Sequence, residues 1–163
     1  MCHEVGEYFV KLFFIVILTS RGDVLLHCDG SGGLCQISTK MTSAKLDQVE
    51  DVDIDTGRFK YILIKVHDSP EGGPEVTKHI VRGYCSAGFH ADVYDKVVPG
   101  IEAKGLDCEC VGGGRILHEP DNKSIEVFGY SQGYGKADHS ISVELLKKKY
   151  PDYAKITFSN DGY

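Results

Sequence analysis

The sequence predicts an α+β fold, an α/β sandwich in which a mixed β-sheet of about six strands is flanked by two helices. Three observations lead there. Short runs of alternating apolar and polar residues dominate the chain after position 50, two stretches switch to helical spacing, and clusters of Gly, Pro, Asp and Asn separate these segments.

The strand at Phe59–His67 puts Ile62, Ile64 and Val66 on one face and runs into the turn residues Pro70-Glu71-Gly72-Gly73-Pro74. A second strand covers 78–84. After His90 the apolar residues Val93, Val97 and Ile101 share one face of a helix of about three turns, Asp92 supplies a favourable charge to its first turn, and Gly105 ends it. Strands at 106–111, 115–119 and 124–130 follow as an antiparallel set, joined through Gly112-Gly113-Gly114 and Pro120-Asp121-Asn122-Lys123. The second helix starts at Asp138 as N-cap, carries Ile141, Leu145 and Leu146, and stops before Pro151. Ala154, Ile156 and Phe158 mark a last strand.

With 163 residues, 42% of them hydrophobic, the chain supports one domain with a real core. Its 24 acidic and 18 basic residues leave a net charge of -6, which argues against nucleic acid or an anionic membrane surface as partner. Lys147-Lys148-Lys149 is read as the last turn of a helix, where cations complement the dipole. The apolar run Tyr8–Leu18 is too short to span a bilayer, and its content fits a buried strand and a signal-peptide core equally well; the lack of preceding positive charges and of a small-x-small cleavage site argues against export. Residues 29–50 read as a linker, so a boundary is expected near Asp51: an N-terminal extension over 1–50 of unknown role and a domain over 51–163. We expect a cytoplasmic monomer.

Cys2, Cys28, Cys35, Cys85, Cys108 and Cys110 do not form a dense disulfide framework, and free thiols are expected. Cys108-Glu109-Cys110 offers at most two thiolates on one strand face, too few for a zinc site, so no metal is expected; a thiol nucleophile at Cys110 is a minor alternative. Of the seven histidines, His3, His27, His67, His79 and His118 are read as structural. His139 opens the second helix and reads as structural, with a substrate contact as the alternative. His90 differs: it stands at a helix start between Gly88 and Ala91, where unpaired N–H groups and the positive end of the dipole can hold an anion such as phosphate. The loop Gly129-Tyr130-Ser131-Gln132-Gly133-Tyr134-Gly135 lies between a strand and a helix and can form an anion nest, although it matches neither dinucleotide nor P-loop spacing. Lys60 can add a cation.

Taken together these segments resemble the Janus/Ocnus family. The matching strings are Asp51–Asp55, Phe59–Tyr61, Ile80–Tyr84, His90–Lys96, Cys108–Cys110, Gly112–Arg115, Gly129–Ser131, Tyr134-Gly135, His139, Lys149–Tyr153 and Asn160–Tyr163, covering 51–163 in order. The resemblance implies a metal-independent, cofactor-free histidine phosphatase acting on phosphohistidine-containing proteins. It further implies that His90 is the catalytic proton acceptor, that Lys60 contacts substrate, and that Ser131, Gln132 and Gly133 bind the phosphoryl group. Ala91, Arg82, Arg115 and His139 are secondary candidates. Gln132 and Gly133 depart from the family's side chains, which a cradle of backbone N–H groups tolerates. Two alternatives stay open: His90 as nucleophile through a phosphoenzyme, and a non-catalytic module that binds phosphoproteins.

Overall fold

The computed structural model describes residues 43–160, together with the short strands β1 (Val16–Leu18) and β2 (Val24–Leu26). β1 and β2 pair antiparallel in a compact unit of their own, Met1–Met41. The rest of the apolar run Tyr8–Leu18, and His3, His27, Cys2, Cys28 and Cys35, lie outside the described residues.

The second unit begins at Thr42. Its elements are α1 (Ala44–Asp47), β3 (Val52–Ile54), β4 (Gly57–Asp68), β5 (Val76–Tyr84), α2 (His90–Glu102), β6 (Asp107–Glu119), β7 (Ser124–Phe128), α3 (His139–Lys149) and β8 (Lys155–Phe158). Six strands form one mixed sheet in the order β3-β5-β4-β6-β7-β8. The four central strands pair antiparallel, and the outer pairs β3–β5 and β7–β8 are parallel.

Strict alternation along β4 builds two cores, one on each face of the sheet. Ile62, Ile64 and Val66 join Ile80, Val93, Val97 and Ile101 under α2, whereas Phe59, Tyr61 and Leu63 join Ile116, Ile125, Val143 and Leu146 under α3. All these side chains are buried. α2 presents Val93, Val97 and Ile101 as one stripe, and Asp92 reaches back to accept from the Phe89 N–H at 2.7 Å. Asp138 caps α3 as expected, accepting from the Ser140 N–H at 3.0 Å.

Two features differ from the sequence-based expectation. Residues 43–50, composed like a linker, carry the turn α1, whose Leu46 and neighbouring Val49 are buried in the α2-side core. Gly112-Gly113-Gly114 is not a hairpin turn. It lies inside the single 13-residue strand β6, paired to β4 throughout, with a bulge opposite Leu63 and Ile64. Glycine ends a strand only where the chain turns; here it admits close neighbours to the strand instead.

Candidate active site

Those neighbours define the site. A Cβ on Gly113 would stand 2.8 Å from His90 Cδ2, and one on Gly112 would stand 2.6 Å from the Ala137 backbone nitrogen. A Cβ on Gly114 would meet the Phe128 carbonyl oxygen at 2.6 Å and His139 Cε1 at 3.0 Å. The three glycines thus let two helix starts, those of α2 and α3, and one loop pack directly on β6.

The loop is 129–137. Ser131 N–H donates to Gly135 O and Gly135 N–H to Ser131 O, at 3.1 and 2.9 Å, and Ser131 Oγ accepts from the Tyr134 N–H at 3.2 Å. Bonds from Gly113 N–H to Gly135 O and from Ala137 N–H to Gly113 O fasten this closed turn to β6. The N–H groups of Gln132 and Gly133 take no part in these bonds, and both residues line the cleft at the turn's tip. This is the anion-nest arrangement the glycine-rich sequence suggests.

Facing the loop is the start of α2. Its first N–H groups have no partner within the helix, and His90 and Ala91 line the same cleft. Lys60 and Arg115 are direct cross-strand partners on β4 and β6 and complete the floor. The cleft measures about 780 Å³ and is lined by Lys60, Arg115, the 88–91 segment and residues 131–134.

The His90 ring has a defined proton. Its Nε2 lies 2.9 Å from the Gly114 carbonyl oxygen, which can only accept, so Nε2 carries the hydrogen and the neutral ring keeps its lone pair on Nδ1. Burial pushes the imidazole below its ordinary value of 6.5; the Gly114 bond opposes this, and the Lys60 and Arg115 charges add to it. The ring is therefore neutral near pH 7 and able to take a proton.

The other candidates fall elsewhere. His139 is 2% exposed, with Nε2 2.9 Å from Gly129 O and Nδ1 2.6 Å from the Tyr61 hydroxyl, so both nitrogens are committed inside the α3-side core. Arg82 is buried and donates to Val81 O and Glu50 O at 2.8 and 2.6 Å, tying the segment before β3 to β5; it does not line the cleft. Cys110 is outside the cleft as well, and burial pushes its thiol up, away from the reactive thiolate. His118 is structural as expected, bonding Asp55 O and the Tyr153 hydroxyl. Among the described residues, no group of three or more His, Cys, Asp and Glu side chains is placed to hold a metal ion, and no helix is long and apolar enough to cross a membrane.

Sequence reasoning missed Gly113, Gly114, Phe89 and Tyr134. Three consecutive glycines within a strand-forming stretch were the available signal for the first two. Phe89 carried a different one, an aromatic residue where a helix cap favours a small polar side chain.

Fold and site together define a class: α+β proteins in which a helix-start histidine and a glycine-rich loop close on a cationic anion cleft. Comparison narrows the class. The profile of the Janus/Ocnus family matches residues 46–154, and the chain belongs to that family. It is 56% identical over 124 residues to the 14 kDa phosphohistidine phosphatase of Sus scrofa, covering 74% of this chain and 98% of that protein. The Homo sapiens protein of the same name is 53% identical over 126 residues, 76% of this chain and 100% of the relative. The sex-regulated protein janus-A of Drosophila melanogaster is 42% identical over 147 residues, 90% and 96% of the two chains.

Proposed function

We propose that this protein is a histidine phosphatase that hydrolyses the P–N bond of phosphohistidine in proteins, with His90 as general base. One observation carries the proposal: a neutral imidazole, its proton fixed on Nε2 by Gly114 O, sits in a cleft otherwise furnished with cations and backbone donors. The names of the mammalian relatives support the same substrate.

The phosphoryl group sits with its oxygens toward the N–H groups of Ala91, Gln132 and Gly133, with Lys60 and Arg115 adding positive charge. These donors are fixed before substrate arrives, so they stabilise the charge that spreads over the equatorial oxygens as the P–N bond loosens. A water molecule attacks phosphorus opposite the leaving nitrogen. His90 Nδ1 takes its proton as the O–P bond forms, the electron pair of the breaking P–N bond returns to the substrate imidazole, that nitrogen takes a proton from solvent, and His90 gives its own back to solvent to complete the cycle. The products are orthophosphate and histidine. No step is assigned to a metal or cofactor. We place the activity in the sheet-bearing unit, as a cytoplasmic monomer, and assign no step to the residues before it.

Phosphate release from a phosphohistidine peptide by the wild type and by His90→Ala tests the proposal. Turnover by the wild type and its loss in the variant support it. Equal rates reject His90, and binding by the wild type without turnover identifies a phosphoprotein-binding module instead. Rapid quenching with labelled substrate distinguishes water attack from attack by the imidazole, since label trapped on His90 identifies the ring as the nucleophile.

A further inference from the structure

Phe89 is the most solvent-exposed large hydrophobic side chain among the described residues, 74% exposed, and it lines the cleft immediately before His90. It occupies the N-cap of α2. Small polar residues dominate that position because their oxygens bond the free N–H groups of the first turn, and a phenyl ring supplies no such bond. The helix start is stabilised from the other side instead, by the Asp92 carboxylate that accepts from the Phe89 N–H. The ring therefore contributes neither to the cap nor to a core. Local rules are broken in this way where a side chain serves a ligand.

Its surroundings indicate which ligand. Tyr134 forms a second aromatic side of the cleft and is held in place by Tyr94, the ring centroids lying 5.9 Å apart. Beyond the phosphoryl cradle the cleft thus offers the reacting group aromatic surface. A phosphoramidate of histidine is itself a planar aromatic ring, which a simple amine leaving group is not. Offset stacking on an aromatic side chain suits such a leaving group.

We propose that Phe89 is a specificity-determining residue that stacks on the departing imidazole, so that the enzyme favours phosphorus carried by an aromatic nitrogen over phosphorus carried by a simple amine. This rests on the phosphatase function proposed above. The test compares kcat/KM of wild type, Phe89→Ala, Phe89→Leu and Phe89→Tyr on a phosphohistidine peptide and on inorganic phosphoramidate, which has the same P–N bond and no ring. Phe89→Ala is expected to lose about five- to tenfold on the peptide and to stay within about twofold of wild type on phosphoramidate, with Phe89→Tyr near wild type on both and Phe89→Leu between the two. Equal losses on both substrates would mean that Phe89 only shapes the helix start, and no loss on either would mean that it touches nothing; both overturn the assignment. Wild type inactive on both substrates rejects the underlying phosphatase function, a result that no Phe89 variant is needed to read.

Discussion

α2 and α3 both begin with a histidine as their first helical residue, and both histidines give the Nε2 hydrogen to a glycine carbonyl: His90 to Gly114 O on β6, His139 to Gly129 O just past β7. Adjacent glycines of β6 clear the space for the two rings, Gly113 for His90 and Gly114 for His139. The difference lies at Nδ1. In His139 it accepts from the Tyr61 hydroxyl, which also lies 3.2 Å from Ser142 Oγ, within a buried network. In His90 it remains a lone pair in a half-buried ring beside two cations. The same local geometry thus makes a structural pin on one face of the sheet and, on the other, leaves the ring nitrogen that we propose as the base, depending on what meets the second nitrogen.

The contrast breaks most sharply when each ring is removed. His90→Ala is expected to lower kcat on a phosphohistidine peptide by about 10³-fold while leaving the melting temperature close to wild type, because the ring supplies acid–base catalysis and little core packing. His139→Ala is expected to do the reverse. It leaves Gly129 O unsatisfied and the Tyr61 hydroxyl with Ser142 alone beside a cavity, costing about 3 kcal/mol in urea unfolding, while the folded fraction keeps kcat within a few-fold.

The glycines sharpen the same comparison. Gly113→Ala drives a methyl into the His90 ring, and a displacement of that size is expected to lower kcat by about 100-fold. Gly114→Ala meets backbone and His139 instead, so its first readout is a lower melting temperature.

Proton affinity gives the smallest effects. His90 is active when neutral and its value lies below 6.5, so kcat/KM should be flat near neutrality and fall as pH drops below 6.5. Lys60→Met removes a charge that lowers that value, so the acidic limb should move to higher pH. His139 is also held below 6.5, chiefly by burial. The unfolded chain then binds this proton first as pH falls, so the stability present above pH 6.5 declines below it, and His139→Gln should flatten that decline in a melting series.

Much of this contrast was legible in the sequence. Period-two runs located β4 and β5, the Val93-Val97-Ile101 stripe and the Asp138 cap located both helices, and the small residues around His90 marked the anion-binding start. Lys60 and the glycine-rich 129–135 loop were candidates from the residues themselves, and the resemblance to the family gave them roles in binding substrate. What could not be read was whatever depends on elements distant in the chain. β6 looked like two strands because glycine normally signals a turn, and only the approach of α2, α3 and the 129–137 loop gives its three glycines a purpose. Arg82 and His139 carry the residue types of a site, yet register turns them toward Glu50 and Tyr61. The Lys60–Arg115 pairing likewise appears only once β4 and β6 are in register.

The protonation of the two rings is the central point, and nitrogen NMR of the imidazoles in uniformly 15N-labelled protein at pH 7 reads it directly. The expected spectrum has both His90 and His139 neutral with the proton on Nε2, and only His90 Nδ1 shifting when orthophosphate is added. A His90 ring protonated on Nδ1, or present as the imidazolium at pH 7, would contradict its role as the base.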